Sequence, residues 1–311
     1  MINREIIRLK IVQLIYAYYQ NEGKTIDVAE KELNFSLTKA YDLYNSLLLL
    51  LLNLREVAVR RDEARQARDK RMGTKLMGVD ADSQFAANKF LLQLEANKSL
   101  LAFREKQGQM WENEDAFLKK LYNSFVESDV YQMYLTKEDF SYEADREIVR
   151  KLYKSYVCNN DAFDEVLEER SLYWNDDKDV VDSFVLKTIK RFREEDGADQ
   201  ELLPEYASDD DRAFASKLFR NTIGLAPEVR TLIKENCKNW EFNRLAFMDV
   251  IIMQIALTEI LSFPSIPVSV SINEYLDIAK VYSTPRSASY INGLLDHVVK
   301  KLKAAKKLLK Q

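Results

Sequence analysis

The chain has 311 residues, about twice a typical domain, with seven Gly, five Pro, one His and two Cys. Gly and Pro together make about 4% against about 12% in ordinary usage, too few turn residues for a barrel, a sandwich or a doubly wound sheet, and no proline precedes Pro204. A net charge of -4 hides 18 basic against 14 acidic side chains in 1–111, 13 against 28 in 112–211 and 15 against 8 in 212–311, while a single histidine, His297, rules out the usual His-based zinc and di-iron sites.

Ile7, Ile11, Leu14 and Tyr18 recur at helical spacing and predict a first helix over about 2–20, stopped by Gly23. A short helix over 26–33 follows. Ser36 is placed to cap a long helix that runs through six leucines at 47–52 to about Arg71, where Gly73 and Gly78 break it. The leucine run is far short of the roughly 20 apolar residues of a membrane span, and Glu5, Arg8 and Lys10 interrupt the stretch where a secretory leader would lie. Both observations point to a cytoplasmic chain that does not engage a membrane. Residues 55–75 read as a solvated, net positive arm.

Further helices fit 83–107, 112–135, 144–158, 161–173 and 178–194. Residues 195–211, with Gly197, Pro204 and many acids, form the clearest linker, and helices near 210–223, 227–237, 241–262, 272–282 and 285–309 follow. The fold class is therefore all-α. Cys158 and Cys237 read as two buried thiols rather than a disulfide. At an offset of 66, Asp145, Arg146, Lys151, Leu152, Glu169 and Trp174 fall opposite Asp211, Arg212, Lys217, Leu218, Glu235 and Trp240, which is compatible with a duplicated helical hairpin and with chance similarity between helices.

No catalytic set assembles. The acid runs at 176–179 and 209–211 lack the Asp-Asp-x-x-Asp spacing that aims carboxylates at a magnesium-bound diphosphate, and they read as acids stabilised at helix N-termini. There is no Gly-rich phosphate loop. A binding protein with no metal and no cofactor is the expectation.

The last hundred residues carry more information. Pro264 and Pro267 close one helix; Ser271 with Glu274 forms a capping box and Val270 with Tyr275 a hydrophobic staple for the next, beginning at 272. Thr284 as N-cap and Pro285 at the first helical position then start the last helix, whose amides make a ready anion site. Arg286, Tyr290, Gly293 and His297 form one stripe on it, beside an apolar face of Ile291, Leu294, Leu295, Val298 and Leu302. A cation, a ring and a glycine in line suit a phosphate, a stacked base and a close backbone. As packing, the same pattern has Gly293 admit a neighbouring helix and Tyr290 rim the core. Arg4 and Arg8 share a face of the first helix, with Lys10 nearly opposite Arg8; their ordinary reading is a solvated surface. The tail 300–310 holds six lysines and no acid.

Four stretches are diagnostic together: Arg4-x-x-x-Arg8 with Val12-Gln13-Leu14-Ile15-Tyr16; 249–261, Asp-Val-Ile-Ile-Met-Gln-Ile-Ala-Leu-Thr-Glu-Ile-Leu; 266–274, Ile-Pro-Val-Ser-Val-Ser-Ile-Asn-Glu; and 290–296, Tyr-Ile-Asn-Gly-Leu-Leu-Asp. In these the sequence resembles the NusB family of transcription antitermination factors, over about 2–20 and 209–303. The resemblance implies a NusB-like helical bundle built from first helices in 1–35 and a C-terminal core in 209–311, with an inserted helical segment over 36–208 that is acidic from about 112. It implies an RNA-binding antitermination factor that recognises boxA-type single-stranded RNA of ribosomal RNA precursors with the ribosomal protein NusE, within the antitermination complex of RNA polymerase. By position, the family's arginine-rich start falls on Arg4 and Arg8 and its RNA-facing aromatic on Tyr290; Thr284, Arg286, Ser287 and Asn292 complete the candidate RNA-contact set. About three phosphate contacts would give single-stranded RNA binding a log-log salt slope near -2. The alternative is a protein-interaction adaptor on the same fold that has lost RNA, favoured by Glu5, Ile6 and Ile7 between the two arginines and by the acidic middle segment.

Overall fold

Asn3, in the extended conformation, accepts the Ile6 amide at 3.1 Å, and from that cap α1 runs Arg4–Gln20 in the computed structural model of the chain. The structure describes all residues except 22, 74–78, 109, 112, 138, 175, 238–241 and 309–311, so Lys75, Gly78, Trp240 and the end of the lysine tail lie outside it. Among the described residues there are fifteen α-helices, and the β-structure is one parallel bridge between Ile2 and Tyr206. No described helix is long and apolar enough to cross a membrane.

Helix α2 is a single run, Ile26–Met72, where a break and a new cap at Ser36 are expected from sequence. Leu33, Leu37, Ala40, Leu43 and Tyr44 are all fully buried, so the apolar stripe continues across the expected break, and Ser36 is itself buried within the helix. With neither Gly nor Pro between 33 and 36 to stop it, tertiary burial carries the helix through. The chain divides into two compact units, the first comprising Met1 and Lys39–Pro204, the second Ile2–Thr38 and Glu205–Gln311.

In the first unit the six leucines of 47–52 are all buried, which makes that part of α2 apolar all round, as a helix surrounded by others must be. The expected helix over 83–107 is three: α3 Ala81–Ala86, α4 Lys89–Ala96 and α5 Lys98–Gln107, separated because Asn88 and Asn97 cap the Leu91 and Leu100 amides. Likewise 112–135 divides at Ser128 into α6 Asp115–Val126 and α7 Asp129–Leu135. Then come α8 Tyr142–Tyr156, α9 Asp161–Arg170 and α10 Lys178–Arg191, and a 3-10 turn, Glu194–Asp199, opens what reads in sequence as pure linker.

The positive arm is not simply solvated. Arg55 bonds the Ala86 carbonyl and Glu95, Arg65 is held among Asp62, Asp80 and Ser83, and Arg61 lies over the Tyr122 ring. These three arginines are therefore engaged within the unit, while Arg60, Arg68, Lys70 and Arg71 are exposed.

The second unit completes its helices with α11 Asp209–Gly224, α12 Ala226–Asn236, α13 Phe247–Ser262, α14 Val268–Tyr282 and α15 Ser287–Ala304. Asp209, Asp210 and Asp211 occupy the first turn of α11, as acids at a helix N-terminus should. Ser141 and Ser208 cap α8 and α11 at a separation of 67, one residue off the apparent repeat. Helix α13 is the axis of the unit, packed by α1, α11, α12, α14 and α15 and buried without interruption from Asp249 to Ile260.

Inside that apolar helix Asp249, Gln254 and Glu259 recur five residues apart. At 100° per residue Gln254 points about 140° from each of the other two and Asp249 about 80° from Glu259, so each meets a different neighbour. Asp249 accepts from Ser283 and Ser287; Gln254 accepts from Arg230 and donates to Tyr19 and the Thr222 carbonyl; Glu259 accepts from Arg8, Ser271 and Tyr275. These bonds locate the surrounding helices against α13, which shape-blind apolar packing alone would leave free to slide.

The expected capping box is overturned by the same network. Helix α14 begins at Val268, Ser271 lies inside it bonding Glu259, Glu274 pairs with Arg8, and Val270 is exposed rather than stapled to Tyr275. Both cap residues are taken by stronger charged partners elsewhere in the unit.

Candidate nucleic-acid interface

The seven residues singled out from sequence fall into two groups at opposite ends of α13. Arg4 and Arg8 lie on α1 with their guanidiniums 5.0 and 5.5 Å from the Phe214 ring centroid. Thr284, Arg286, Ser287, Tyr290 and Asn292 belong to the α14–α15 turn and the first turns of α15. Arg8 reaches α13 at Glu259 and Ser287 reaches it at Asp249. Ten residues at 1.5 Å rise put these anchors about 15 Å apart along the helix.

Within the first group exposure differs sharply. Arg4 is paired with Asp211, its Nε 3.1 Å from Oδ1, and its side chain remains 39% exposed. Arg8 is not a solvated surface residue: it is 3% exposed, its Nε and Nη2 form a fork on Glu259 at 2.9 Å each, and Nη1 bonds Glu274 at 3.0 Å. Burial alone would push the Arg8 guanidinium down; its hydrogen bonds and the charge of Glu259 more than reverse that and hold it above its ordinary value. Lys10, on the other side of α1, is also buried.

In the second group the helix start is displaced. Helix α15 begins at Ser287, with Arg286 rather than Thr284 at the N-cap position and no side-chain cap. Pro285 precedes the helix, because 284–287 closes as a turn with the Ser287 amide on the Thr284 carbonyl at 2.9 Å. Ser287 is 3% exposed and its hydroxyl donates to Asp249 Oδ2 at 2.9 Å, so the protein's own carboxylate already stands at this helix N-terminus. Thr284 is exposed and shares a hydrogen bond with Ser287 at 2.8 Å.

Arg286 is exposed and forms no ion pair among the described residues. One turn on, the Tyr290 ring is half-buried and its hydroxyl lies 3.7 Å from Cys237 Sγ. Burial first, and then the neighbouring Cys237, raise the Tyr290 phenol above its ordinary value, so it is a neutral ring at physiological pH. Asn292 is exposed, and the apolar face beside the stripe is anchored by Ile291, Leu294, Leu295, Val298 and Leu302, all buried. Cys158 and Cys237 are free thiols, each partly buried.

Gly293 is exposed, and a Cβ built there meets no atom within 4 Å. It does not admit a neighbouring helix. Gly293→Ala should therefore stabilise the fold by about 0.5–1 kcal/mol, read as a rise of about 2–4 °C per kcal/mol in the thermal transition. A fall in melting temperature would mean that the glycine serves packing after all.

Asp249 is the residue that pattern reading passes over. Its trace in the sequence is an acid opening an otherwise apolar helix, a placement that reads as an ordinary N-terminal acid until Ser283 and Ser287 are seen on it. Among the described residues no group of three or more His, Cys, Asp or Glu is arranged to hold a metal ion.

Residues 180–300 match the family model described as the NusB family, a span that starts inside α10. The transcription antitermination protein NusB of Salinibacter ruber is 39% identical over 121 residues, covering 37% of this chain and 76% of that protein. The NusB of Chloroherpeton thalassium is 37% identical over 105 residues, covering 33% of this chain and half of that protein. Among solved structures, NusB of T. maritima is 28% identical, covers 38% of this chain and 82% of that one, and superposes with a TM-score of 0.29.

Proposed function

The chain belongs to the NusB family, and on that premise we propose that it acts by binding rather than catalysis, as a transcription antitermination factor working where transcripts are made. Its target in this reading is boxA-type single-stranded RNA of ribosomal RNA precursors, bound together with the ribosomal protein NusE in the antitermination complex of RNA polymerase. The observation that carries the reading is an exposed Arg286 at the N-cap of α15, without an ion pair among the described residues, followed one turn later by the half-buried ring of Tyr290. A phosphate held by the guanidinium leaves the next base near a π-face, which is how single strands are read without a duplex. Asn292 adds an exposed amide two residues further along α15, about 200° round the helix from the Tyr290 ring, and Arg4 adds a partly exposed cation at the other end of α13. Arg8 and Ser287 support these residues from below and are left out of the RNA-touching set.

The test is a fluorescence-anisotropy titration of the full chain with a boxA-like RNA, with and without NusE, across salt. With Arg4 and Arg286 as the two phosphate contacts, the log-log slope should be about -1.4, at about -0.7 per contact for a single strand. A salt-independent affinity would take both arginines off the backbone. The adaptor reading is favoured by one specific observation, that Arg8 and Arg4 are both already paired with carboxylates. It would be preferred if NusE bound while RNA added nothing.

A further inference from the structure

The α14–α15 turn is held at both ends by one carboxylate. Ser283, the residue that ends α14, donates to Asp249 Oδ1 at 2.5 Å; Ser287, the first residue of α15, donates to Asp249 Oδ2 at 2.9 Å. The two serine hydroxyls are 3.0 Å apart, and Thr284 closes on Ser287 at 2.8 Å. Asp249 itself is 6% exposed in the first turn of α13. Hydroxyl bonds to an ionised carboxylate are shorter and stronger than neutral ones, so two helix ends are clamped to a third helix. Between the clamped serines only Thr284, Pro285 and Arg286 project, all three exposed.

We propose that Asp249 is a positioning residue for the RNA-binding face: without touching RNA, it fixes the turn that presents Arg286 and, through the start of α15, Tyr290. The proposal rests on the RNA reading above and adds how that face is pre-ordered. A ligand that must order a loop gives up affinity to do so, and a clamp set before binding removes that cost.

Replacing Asp249 would remove a negative charge along with the clamp, and the two changes act in opposite directions on a phosphate. The serines separate them, since Ser283→Ala with Ser287→Ala keeps the carboxylate and loses both tethers. Ser283→Ala alone, at the half-exposed end, is the milder variant and should show a smaller loss of the same sign. In anisotropy titrations of the full chain with fluorescein-labelled boxA-like RNA, the double variant should bind about threefold to tenfold more weakly, as expected for one or two side chains that must now be ordered on binding. In an Arg286→Ala background the same two substitutions should cost little further affinity, because the side chain they position is gone. An equal loss in both backgrounds means a general structural role and overturns the proposal, as does no loss in the parent background. Amide exchange over 284–288 in the RNA-free protein gives an independent reading: it should quicken when the serines are replaced, and unchanged exchange overturns the clamp whatever RNA does. A parent chain that binds no RNA removes the functional reading and the positioning role with it, whereas a parent that binds with no Arg286 coupling removes the positioning role alone.

Discussion

Glu259→Ala should destabilise the second unit by about 3–5 kcal/mol, the range for breaking one side of a buried ion pair. The carboxylate is fully buried and accepts four bonds: two from Arg8 at 2.9 Å, one from Ser271 at 2.7 Å and one from Tyr275 at 2.9 Å. Truncation leaves a guanidinium 3% exposed with only the partly exposed Glu274 for a counter-charge, and two buried hydroxyls without their acceptor. The reverse deletion, Arg8→Met, should cost a similar amount by stranding Glu259. Removing both charges together, Arg8→Met with Glu259→Leu, should cost clearly less than either alone, because the desolvation of two ions disappears with their attraction. Chemical denaturation of the full chain, with amide exchange on α1 and α13 to assign the transition to this unit, measures all three variants. A single deletion costing less than about 1 kcal/mol would place the pair among surface bridges of little worth, contrary to its burial. This arginine also lies between α1, α13 and α14, so its loss should reduce RNA binding only through unfolding and not in the fraction that remains folded.

What was legible in the sequence follows from how local the deciding forces are. The apolar face of α15 and the Arg286–Tyr290 stripe repeat within one helix and could be read from spacing alone. So could the acids opening α11, which act on their own helix end. Ser271 and Glu274 had the spacing of a cap but are claimed by Glu259 and Arg8, partners 12 and 266 residues away in the chain, and nothing local announces them. Ser36 fails as a cap for the same reason in reverse, since burial of Leu33 and Leu37 on either side favours continuing the helix. Asn88 and Asn97 went the other way: each has the chemistry of a cap, but apolar residues on both sides made the segment look like one helix. The burial of Arg8 is the most consequential of these, because an arginine on a polar-looking face of α1 reads as a phosphate contact until its carboxylates are found on α13 and α14.

Tyr290→Ala should weaken binding of boxA-like RNA by about fivefold or more, from the roughly 1–3 kcal/mol that one stacked base contributes, whereas Tyr290→Phe should bind nearly as the parent does. The contrast isolates the ring from the hydroxyl. That hydroxyl donates to Cys237 Sγ at 3.7 Å, and a thiol sulfur is a weak acceptor. Its raised titration point already makes the ring neutral at working pH, which removes charge as a difference between the two side chains. Packing is the competing account of a loss in the alanine variant, because Tyr290 is half-buried on α15. Melting curves settle it beforehand: both variants must unfold within a few degrees of the parent before their affinities are compared. Arg286→Ala should then act on the same RNA in a different way, lowering the salt slope by about 0.7, while Tyr290→Ala leaves the slope unchanged because stacking releases no counterions. A folded Tyr290→Ala protein that binds RNA as tightly as the parent would make the stripe a packing feature, and the adaptor reading would then account better for a fold whose first-helix arginines are already paired with carboxylates.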